Sequence, residues 1–376
     1  MNMNRRYFGF LWALAALPMT IARAETPKPQ PTAADQVAIQ KSIDQGIAFL
    51  KNAQAQDGSW TAATSPGITG IAVFALLQSG VSPDDAKLAK ALQHLESFRQ
   101  PDGGIYYLQT PHKNYETSIS LLAFVAANRN GKYDALIDSA KAFLKKIQWD
   151  EEEGADPTNP AYGGAGYGKS QRPDLSNTAF FLEALRAAGV PADDPSMKRA
   201  AVFVSRCQNL ESAHNTTPFA VKVKDGGFYY TPVGSTGNSQ AGLTADGGLR
   251  SYASMTYAGL KSMIYAGLKA DDPRVKAASD WIRKFYSVSE NPGLGQQGLF
   301  YYYHTFGKTM TVLKIDRFED EKGQAHDWRA ELSAEVMKRQ SENGSWMNPT
   351  DRWFEGDPNL VTAYALLALD QCRPAK

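Results

Sequence analysis

The stretch QAQDGSW at Gln54–Trp60 returns almost letter for letter as QSENGSW at Gln340–Trp346, near the other end of the chain. Weaker copies of the pattern lie between these two, so the chain is a repeat protein. A recurring unit of helix, turn and helix cannot bury its apolar face alone and must stack on copies of itself. The repeat therefore sets the architecture.

Six segments share one pattern, in which an amphipathic helix ends in a polar and glycine-rich turn that carries an aromatic residue. Each is followed by a second helix that is apolar nearly all round. A helix with charge on one face lies outside a fold, and one that is apolar all round lies inside. We therefore predict an all-α fold, an (α/α)6 toroid of six helical hairpins. The inner helices are predicted at Ile68–Leu77, Thr117–Ala127, Thr178–Ala188, Met255–Leu268, Thr309–Ile315 and Leu360–Leu369.

A threonine recurs at or near the first turn of the inner helices. A hydroxyl at this place can bond to the backbone groups that a helix start leaves unpaired. We interpret these threonines as capping and packing residues. They are Thr69, Thr117, Thr178, Thr256 and Thr362, with Thr309 or Thr311 in the fifth hairpin.

Charge and cysteine content exclude several classes of protein. The 376 residues carry a formal charge of +1, which is too small to attract nucleic acid electrostatically. The two cysteines, Cys207 and Cys372, are too few for a disulfide scaffold or a cysteine-rich zinc site. We predict two buried free thiols, no metal site and no cofactor.

The first residues have the pattern of an export signal. Arg5 and Arg6 precede an apolar run from Tyr7 to about Leu17, and Ala22–Ala24 fits a signal peptidase site. The two arginines fit a twin-arginine signal, with general secretion as the alternative. We expect a protein exported to the periplasm or cell envelope.

The predicted domain organisation follows from this pattern and from the extent of the repeat. Residues 1–24 form the signal peptide, residues 25–36 a proline-containing linker, and residues 37–376 one toroid domain.

The motif Gln-x-x-Asp/Asn-Gly-Ser-Trp followed by an apolar helix resembles the repeat of the squalene cyclase and protein prenyltransferase superfamily. The resemblance extends from about Ile43 to Cys372. Members of this superfamily hold an isoprenoid chain in the hollow of the toroid. The resemblance implies an apolar central cavity lined by the starts of the inner helices, and a small hydrophobic molecule such as an isoprenoid as the ligand.

The catalytic groups of the superfamily are altered in this chain. Its cyclases protonate a double bond or epoxide with the middle carboxylate of Asp-x-Asp-Asp-Thr-Ala, whereas this chain has Asp174-Leu-Ser-Asn-Thr-Ala at that place. Ser176 and Asn177 stand where the donor and its neighbour would be, and an unactivated hydroxyl cannot protonate an alkene. Asp174 is a displaced acid or an N-cap.

The zinc site of the prenyltransferases is also incomplete. Tyr303-His304-Thr305 resembles the stretch that supplies its histidine ligand. The positions of its aspartate and cysteine ligands align with Arg250 and Tyr252, which are poor zinc ligands. The resemblance therefore does not imply zinc chemistry.

Convergence of the inner helix starts predicts a polar and aromatic rim around one cavity. We take Asp174 and His304 as candidate catalytic residues, with His304 at a loop-to-helix junction and Asp174, Asp357 or Glu355 as its partner. The alternative is that rim residues cap helices and pair with one another. The candidate ligand-binding residues are Tyr115, Asn177, Arg250, Tyr252, Lys308, Trp353, Glu355 and Asp357.

Three functions remain open at this stage. The first is an exported toroid, similar to terpene cyclases and prenyltransferases, that binds or transforms an isoprenoid or another hydrophobic ligand. The others are a non-catalytic interaction module of the envelope and a carbohydrate-active (α/α)6 enzyme with an open polar groove. The sequence leaves open whether the chain is an enzyme. We expect a monomer with peripheral membrane contact.

Overall fold

The computed structural model describes residues 33–168, 172–235 and 237–374. Thirteen α-helices, one short 3-10 helix at Glu151–Glu153 and a two-stranded antiparallel sheet make up the regular structure of these residues, so the all-α prediction is confirmed. The elements are α1 Ala33–Ala53, α2 Pro66–Gln78, α3 Ala86–Glu96, α4 Lys113–Ala127, α5 Asp134–Lys146, α6 Leu175–Ala187, α7 Pro195–Arg206, α8 Ala220–Val223, α9 Ala253–Tyr265, α10 Pro273–Lys284, α11 Leu299–Val312, β1 Phe318–Glu319, β2 Ala325–His326, α12 Trp328–Lys338 and α13 Pro358–Cys372.

Six helices contact one another in cyclic order, and we call them the inner helices. Helix α2 packs on α4, α4 on α6, α6 on α9, α9 on α11 and α11 on α13, and α13 packs back on α2. Each also contacts one of the more polar helices α1, α3, α5, α7, α10 and α12, the outer helices. None of the helices in the described residues is both long and apolar enough to cross a bilayer.

The N-terminal predictions fall largely outside the described residues. The signal peptide at residues 1–24 lies outside them entirely, as does most of the linker. Helix α1 begins at Ala33, inside the segment that was predicted to be linker. Both cysteines are buried and free, as predicted.

The glutamine of the repeat joins its own turn to a neighbouring outer helix. Gln54 Nε2 donates to the carbonyl of Lys87 at 2.9 Å, and Gln340 Nε2 donates to the carbonyl of Ser42 at 3.0 Å. Each also donates to the carbonyl of the glycine in its own turn. Because Ser42 is in α1, the last turn of the repeat is bonded to the first helix.

The repeated threonines bond to the turn before each inner helix. The Thr69 hydroxyl accepts from the Trp60 backbone N–H at 3.1 Å, and Thr362 accepts from Trp346 in the same way. The expectation of helix capping is therefore corrected in part. As acceptors these hydroxyls serve the preceding turn, whereas as donors those of Thr178 and Thr256 bond to the N-cap carbonyl of their own helix. The same bond is made by Thr117, Thr178 and Thr256.

The fifth inner helix differs most from the prediction. It was predicted at Thr309–Ile315, but α11 begins ten residues earlier, at Leu299. The tyrosine run before His304 favours extended structure by propensity, but here it is helical because its side chains bond to the segment after α10. Tyr302 and Tyr303 donate to backbone carbonyls there at 2.6 and 2.8 Å.

Candidate ligand-binding site

A cavity of about 470 Å³ lies at the N-terminal ends of the inner helices, and all six contribute to its wall. This is the place that the resemblance implied. The volume falls within the range of small-molecule sites, roughly 300–1,000 Å³. Each inner helix contributes at least one side chain to the wall. One from each helix, in chain order, is Ile68, Tyr115, Phe180, Met255, Tyr301 and Tyr364.

Aromatic rings form most of the wall. The Tyr115 ring meets Phe180 edge-on at 5.4 Å between centroids, and Tyr301 meets Tyr364 edge-on at 6.0 Å. Such edge-to-face packing holds rings in fixed orientations. The lining tyrosines are Tyr115, Tyr167, Tyr230, Tyr252, Tyr301 and Tyr364.

The tyrosine hydroxyls pair with one another and with neighbouring polar groups. Tyr364 donates to the Tyr115 hydroxyl, and the Tyr301 and Ser176 hydroxyls lie 3.1 Å apart. Burial raises the pKa of Tyr115 to about 12. These phenols therefore stay neutral at any physiological pH.

Glu355 is the more deeply buried of two carboxyl groups on the wall, with 1% of its surface exposed. Its Oε1 accepts from the backbone N–H of Tyr301 in the first turn of α11, at 2.8 Å. Its Oε2 accepts from Asn348 Nδ2 at 2.7 Å. Burial raises the pKa of Glu355 to about 7, although these hydrogen bonds act to lower it.

Glu116, in the first turn of α4, is the second carboxyl group on the wall. It accepts from the Tyr107 backbone N–H and the Thr110 hydroxyl, both at 2.9 Å. Burial raises its pKa to about 7 as well. Both carboxyl groups therefore gain and lose protons near neutral pH.

Asp174 is the N-cap of α6 and is not part of the cavity wall. Its carboxylate accepts from the backbone N–H and the side-chain amide of Asn177, each at 2.8 Å. Burial and the Asp174 carboxylate together raise the pKa of Tyr230, whose side chain does reach the wall. Burial raises the pKa of Asp174 to about 6. The tyrosine connects this carboxyl group to the cavity.

His304 lies within α11 and not at a loop-to-helix junction, so that expectation is wrong. It is buried outside the cavity wall, stacked on Tyr364 at 5.7 Å, and its Nδ1 has no hydrogen-bond partner. Its neighbours are Glu183, Lys261 and Lys308, and burial lowers its pKa to about 3. None of the three carboxylates expected as its partner is bonded to it.

The other predicted ligand-binding residues divide into two groups. Tyr115, Tyr252, Trp353 and Glu355 line the cavity. The other four do not line it. Asn177 bonds to Asp174, and Asp357 caps α13. Arg250 is exposed and donates to the Leu243 carbonyl, and Lys308 lies 3.9 Å from Glu183. In the described residues no group of three or more histidine, cysteine or carboxylate side chains could hold a metal ion.

Sequence reasoning assigned no role to several wall residues, although the repeat contains a signal for them. The residue two positions before the repeated threonine lines the cavity in five of the six hairpins. This position faces inward because the threonine itself is directed at the preceding turn. The five residues are Gly67, Tyr115, Ser176, Ser254 and Leu360, and Tyr115 is the one among them that was predicted to bind the ligand.

Trp353 and Phe354 form an exposed aromatic pair at the opening of the cavity, 43% and 75% exposed. Both have left-handed backbone conformations, with φ of 57° and 64°. Bulky residues seldom adopt this conformation, and such strain concentrates at ligand sites. The Arg352 guanidinium stacks on Trp353 at 4.2 Å and donates to Gln240 at 2.6 Å, which holds the loop in place.

No model of a protein family matches this chain, and no curated protein does so either. Solved structures do match it. The type II terpene cyclase MstE from Scytonema, in its apo form, is 15% identical with a TM-score of 0.53, over 89% of this chain and 98% of that one. A variant of MstE in complex with geranylgeranyl dihydroxybenzoate, its substrate, is 16% identical with a TM-score of 0.52, over 90% and 98%. A protein from Actinoplanes is 15% identical with a TM-score of 0.50, over 89% and 99%. At these identities the likeness shows a shared fold.

Proposed function

We propose that this chain is an (α/α)6 toroid that binds an isoprenoid or a similar hydrophobic molecule in its central cavity. The cyclic order of the inner helices supports the toroid, since the sixth packs on the first. The outer helices alternate with them along the chain, as six hairpins require.

The composition of the cavity wall is the observation that supports a hydrophobic ligand. Rings and aliphatic side chains from all six inner helices surround a volume of about 470 Å³, and burial of an apolar chain against them is favourable in proportion to its area. The substrate complex of MstE holds a geranylgeranyl chain, which makes a long isoprenoid a suitable ligand to test. A carbohydrate-active enzyme calls for an open polar groove, and this wall does not favour one.

Binding is proposed here without the protonation step of the cyclases. At the position of their acid, this chain places the Ser176 hydroxyl on the wall. Asp174 lies behind Tyr230, so it does not touch a ligand directly. Any acid–base step would use Glu116 or Glu355, the carboxyl groups that line the cavity.

Native mass spectrometry of the purified protein tests the proposal, with a geranylgeranyl amphiphile as the probe. We expect a one-to-one complex with the unaltered chain. Phe180→Trp places a larger ring in the cavity and should weaken the complex at least tenfold, whereas Phe285→Trp, at an exposed position of the outer surface, should not. Failure of the unaltered chain to bind any isoprenoid or alkyl probe would refute the proposed function.

We further propose that the protein is exported to the periplasm or cell envelope through residues 1–24. The paired arginines support the twin-arginine route, because that route reads them directly. Replacing Arg5 and Arg6 together by lysine should then retain the protein in the cytoplasm, whereas general secretion would continue. Fractionation of cells followed by immunoblotting distinguishes the two results.

The exposed Trp353 and Phe354 support peripheral contact with a membrane at the cavity opening, since amphipathic aromatic side chains favour the interface. Sedimentation with lipid vesicles, with and without Trp353→Ser and Phe354→Ser, tests that contact. Sedimentation velocity tests the expected monomer.

A further inference from the structure

We propose that the cavity selects ligands that carry a positive charge, and that its preferred occupant is an apolar chain ending in a trialkylammonium group. This inference rests on the proposed function and narrows its ligand class. It follows from the charged groups and the aromatic rings of the wall.

The first observation is the number of aromatic rings around one space. Six tyrosines line the cavity together with Phe180, Trp353 and Phe354. The face of an aromatic ring is the negative pole of its quadrupole, and a cage of such rings recognises quaternary ammonium groups. A neutral alkyl end gains burial in the cage, whereas an ammonium end gains burial and electrostatic attraction.

The second observation is a pair of buried carboxyl groups that lack a counter-charge. Glu116 and Glu355 bond to backbone N–H groups, a hydroxyl and an amide. Within the described ranges 33–168, 172–235 and 237–374, neither forms an ion pair with a lysine, arginine or histidine. Glu183, in contrast, is a buried carboxylate that is paired with Lys261. A cationic ligand would supply the missing partner.

The helix ends at the cavity do not reverse this preference. The N-terminus of a helix carries partial positive charge and attracts anions. Here carboxyl groups already occupy four of the inner helix starts: Asp174 at α6, Asp357 at α13, Glu355 at α11 and Glu116 within the first turn of α4. These starts have little positive charge left to offer an anionic ligand.

The basic side chains near the cavity already have partners of their own. Arg352 stacks on Trp353 and donates to Gln240 and Gln297. Lys261 and Lys308 lie against Glu183, one helical turn beyond Phe180. Where the structure describes the wall, no lysine or arginine belongs to it.

Isothermal titration calorimetry with three probes of equal chain length tests the inference. The probes are decyltrimethylammonium, 1-decanol and decanoate, each below its micellar concentration, at pH 8. We expect decyltrimethylammonium to bind about tenfold more tightly than decanol, and decanoate to bind most weakly. Glu355→Gln and Glu116→Gln should each reduce the ratio of the first two affinities. The exposed Glu342→Gln is the control and should leave that ratio unchanged.

The outcomes separate this inference from the proposed function. If decanol or decanoate binds as tightly as the ammonium probe, the preference for charge is refuted and the hydrophobic cavity stands. If both glutamine variants fold, as judged by thermal melting, and keep the ratio of the unaltered chain, the assignment to these carboxyl groups is refuted. If none of the three probes binds, the inference fails, and native mass spectrometry with the geranylgeranyl probe decides the proposed function. The comparison of the three probes uses the unaltered chain alone. The inference can therefore be refuted even if neither glutamine variant folds.

Discussion

At the scale of single residues, burial determines what the carboxyl groups of the cavity can do. Glu355 has a pKa of about 7 in the folded chain against an ordinary value of 4.5, because burial disfavours its charge. Between these two values the folded chain binds the proton more tightly than the unfolded chain. The contribution of Glu355 to stability is therefore present below pH 4.5 and is lost as the pH rises towards 7.

Glu355→Gln removes this dependence, because the amide does not titrate. The free energy of unfolding of the variant, minus that of the unaltered chain, should therefore increase by about 3 kcal/mol as the pH rises from 4.5 to 8. Urea unfolding at the two pH values measures the change, with Glu342→Gln as the exposed control. An equal effect of Glu355→Gln at both pH values would show that Glu355 titrates normally in the fold.

The same scale shows what sequence reasoning could place and what it could not. Tyr115, Tyr252, Trp353 and Glu355 were expected at the cavity because the inner helix starts were expected to converge, and they line it. Their role in binding a ligand stays a prediction. His304 was placed there by its likeness to a ligand motif, but lies outside the wall. A motif identifies residue types, whereas the rotation of its helix decides which way each side chain faces.

At the scale of elements, the repeated turns depend on close approach to an outer helix. Gly163 has a φ of 82°, and a Cβ there would lie 1.8 Å from the carbonyl oxygen of Arg199 in α7. Gly189 has the same φ, but no atom lies within 4 Å of the position of its Cβ. Substitution at Gly189 therefore measures the cost of the backbone conformation alone, and substitution at Gly163 adds the cost of the steric contact with α7.

Gly189→Ala should therefore lower the free energy of unfolding by about 1 kcal/mol, the cost of a left-handed alanine. Gly163→Ala should lower it by more than about 3 kcal/mol, because the turn must move away from α7. Chemical unfolding of the two variants gives the comparison. Equal losses would mean that the turn does not dock on the helix as described.

The alternation of outer and inner helices could be predicted because it depends on hydrophobic periodicity, which is local. The start of α11 could not, because its first turn depends on bonds from Tyr302 and Tyr303 to a distant segment. Gly298, at φ 62°, marks that start in the structure. In the sequence it is one of several glycines in the same loop.

At the scale of the whole molecule, contacts between the two ends of the described chain close the ring. Helix α13 packs on α2, and α1 packs on α12. An open stack of repeats can unfold progressively from its ends, because each repeat contacts its neighbours alone. A closed ring has no such end and should unfold as one unit.

Trp60→Phe and Trp346→Phe form a matched pair for this test, because each indole donates at 2.8 Å to the end of the preceding outer helix. Each variant should lower one shared melting temperature, with a calorimetric enthalpy equal to the van't Hoff enthalpy. The cost should be about 1–3 kcal/mol, since a buried carbonyl loses its donor. Separate transitions for the two ends would indicate an open stack.

The repeat allowed the all-α class and the alternation of helices to be predicted, and the resemblance implied a cavity at the starts of the inner helices. The composition of the wall could be predicted only in part, since it depends on how far each helix turns about its axis. Tyr230 reaches the cavity from the turn after α8, two residues beyond Phe228, and sequence reasoning assigned it no role.

The claim that the ring encloses a ligand site is tested most directly by a crystal structure of the protein soaked with a brominated isoprenoid analogue. The account predicts an anomalous bromine peak inside the cavity, among Phe180, Tyr301 and Tyr364. A cavity filled by side chains, or a peak confined to the outer surface, would contradict it.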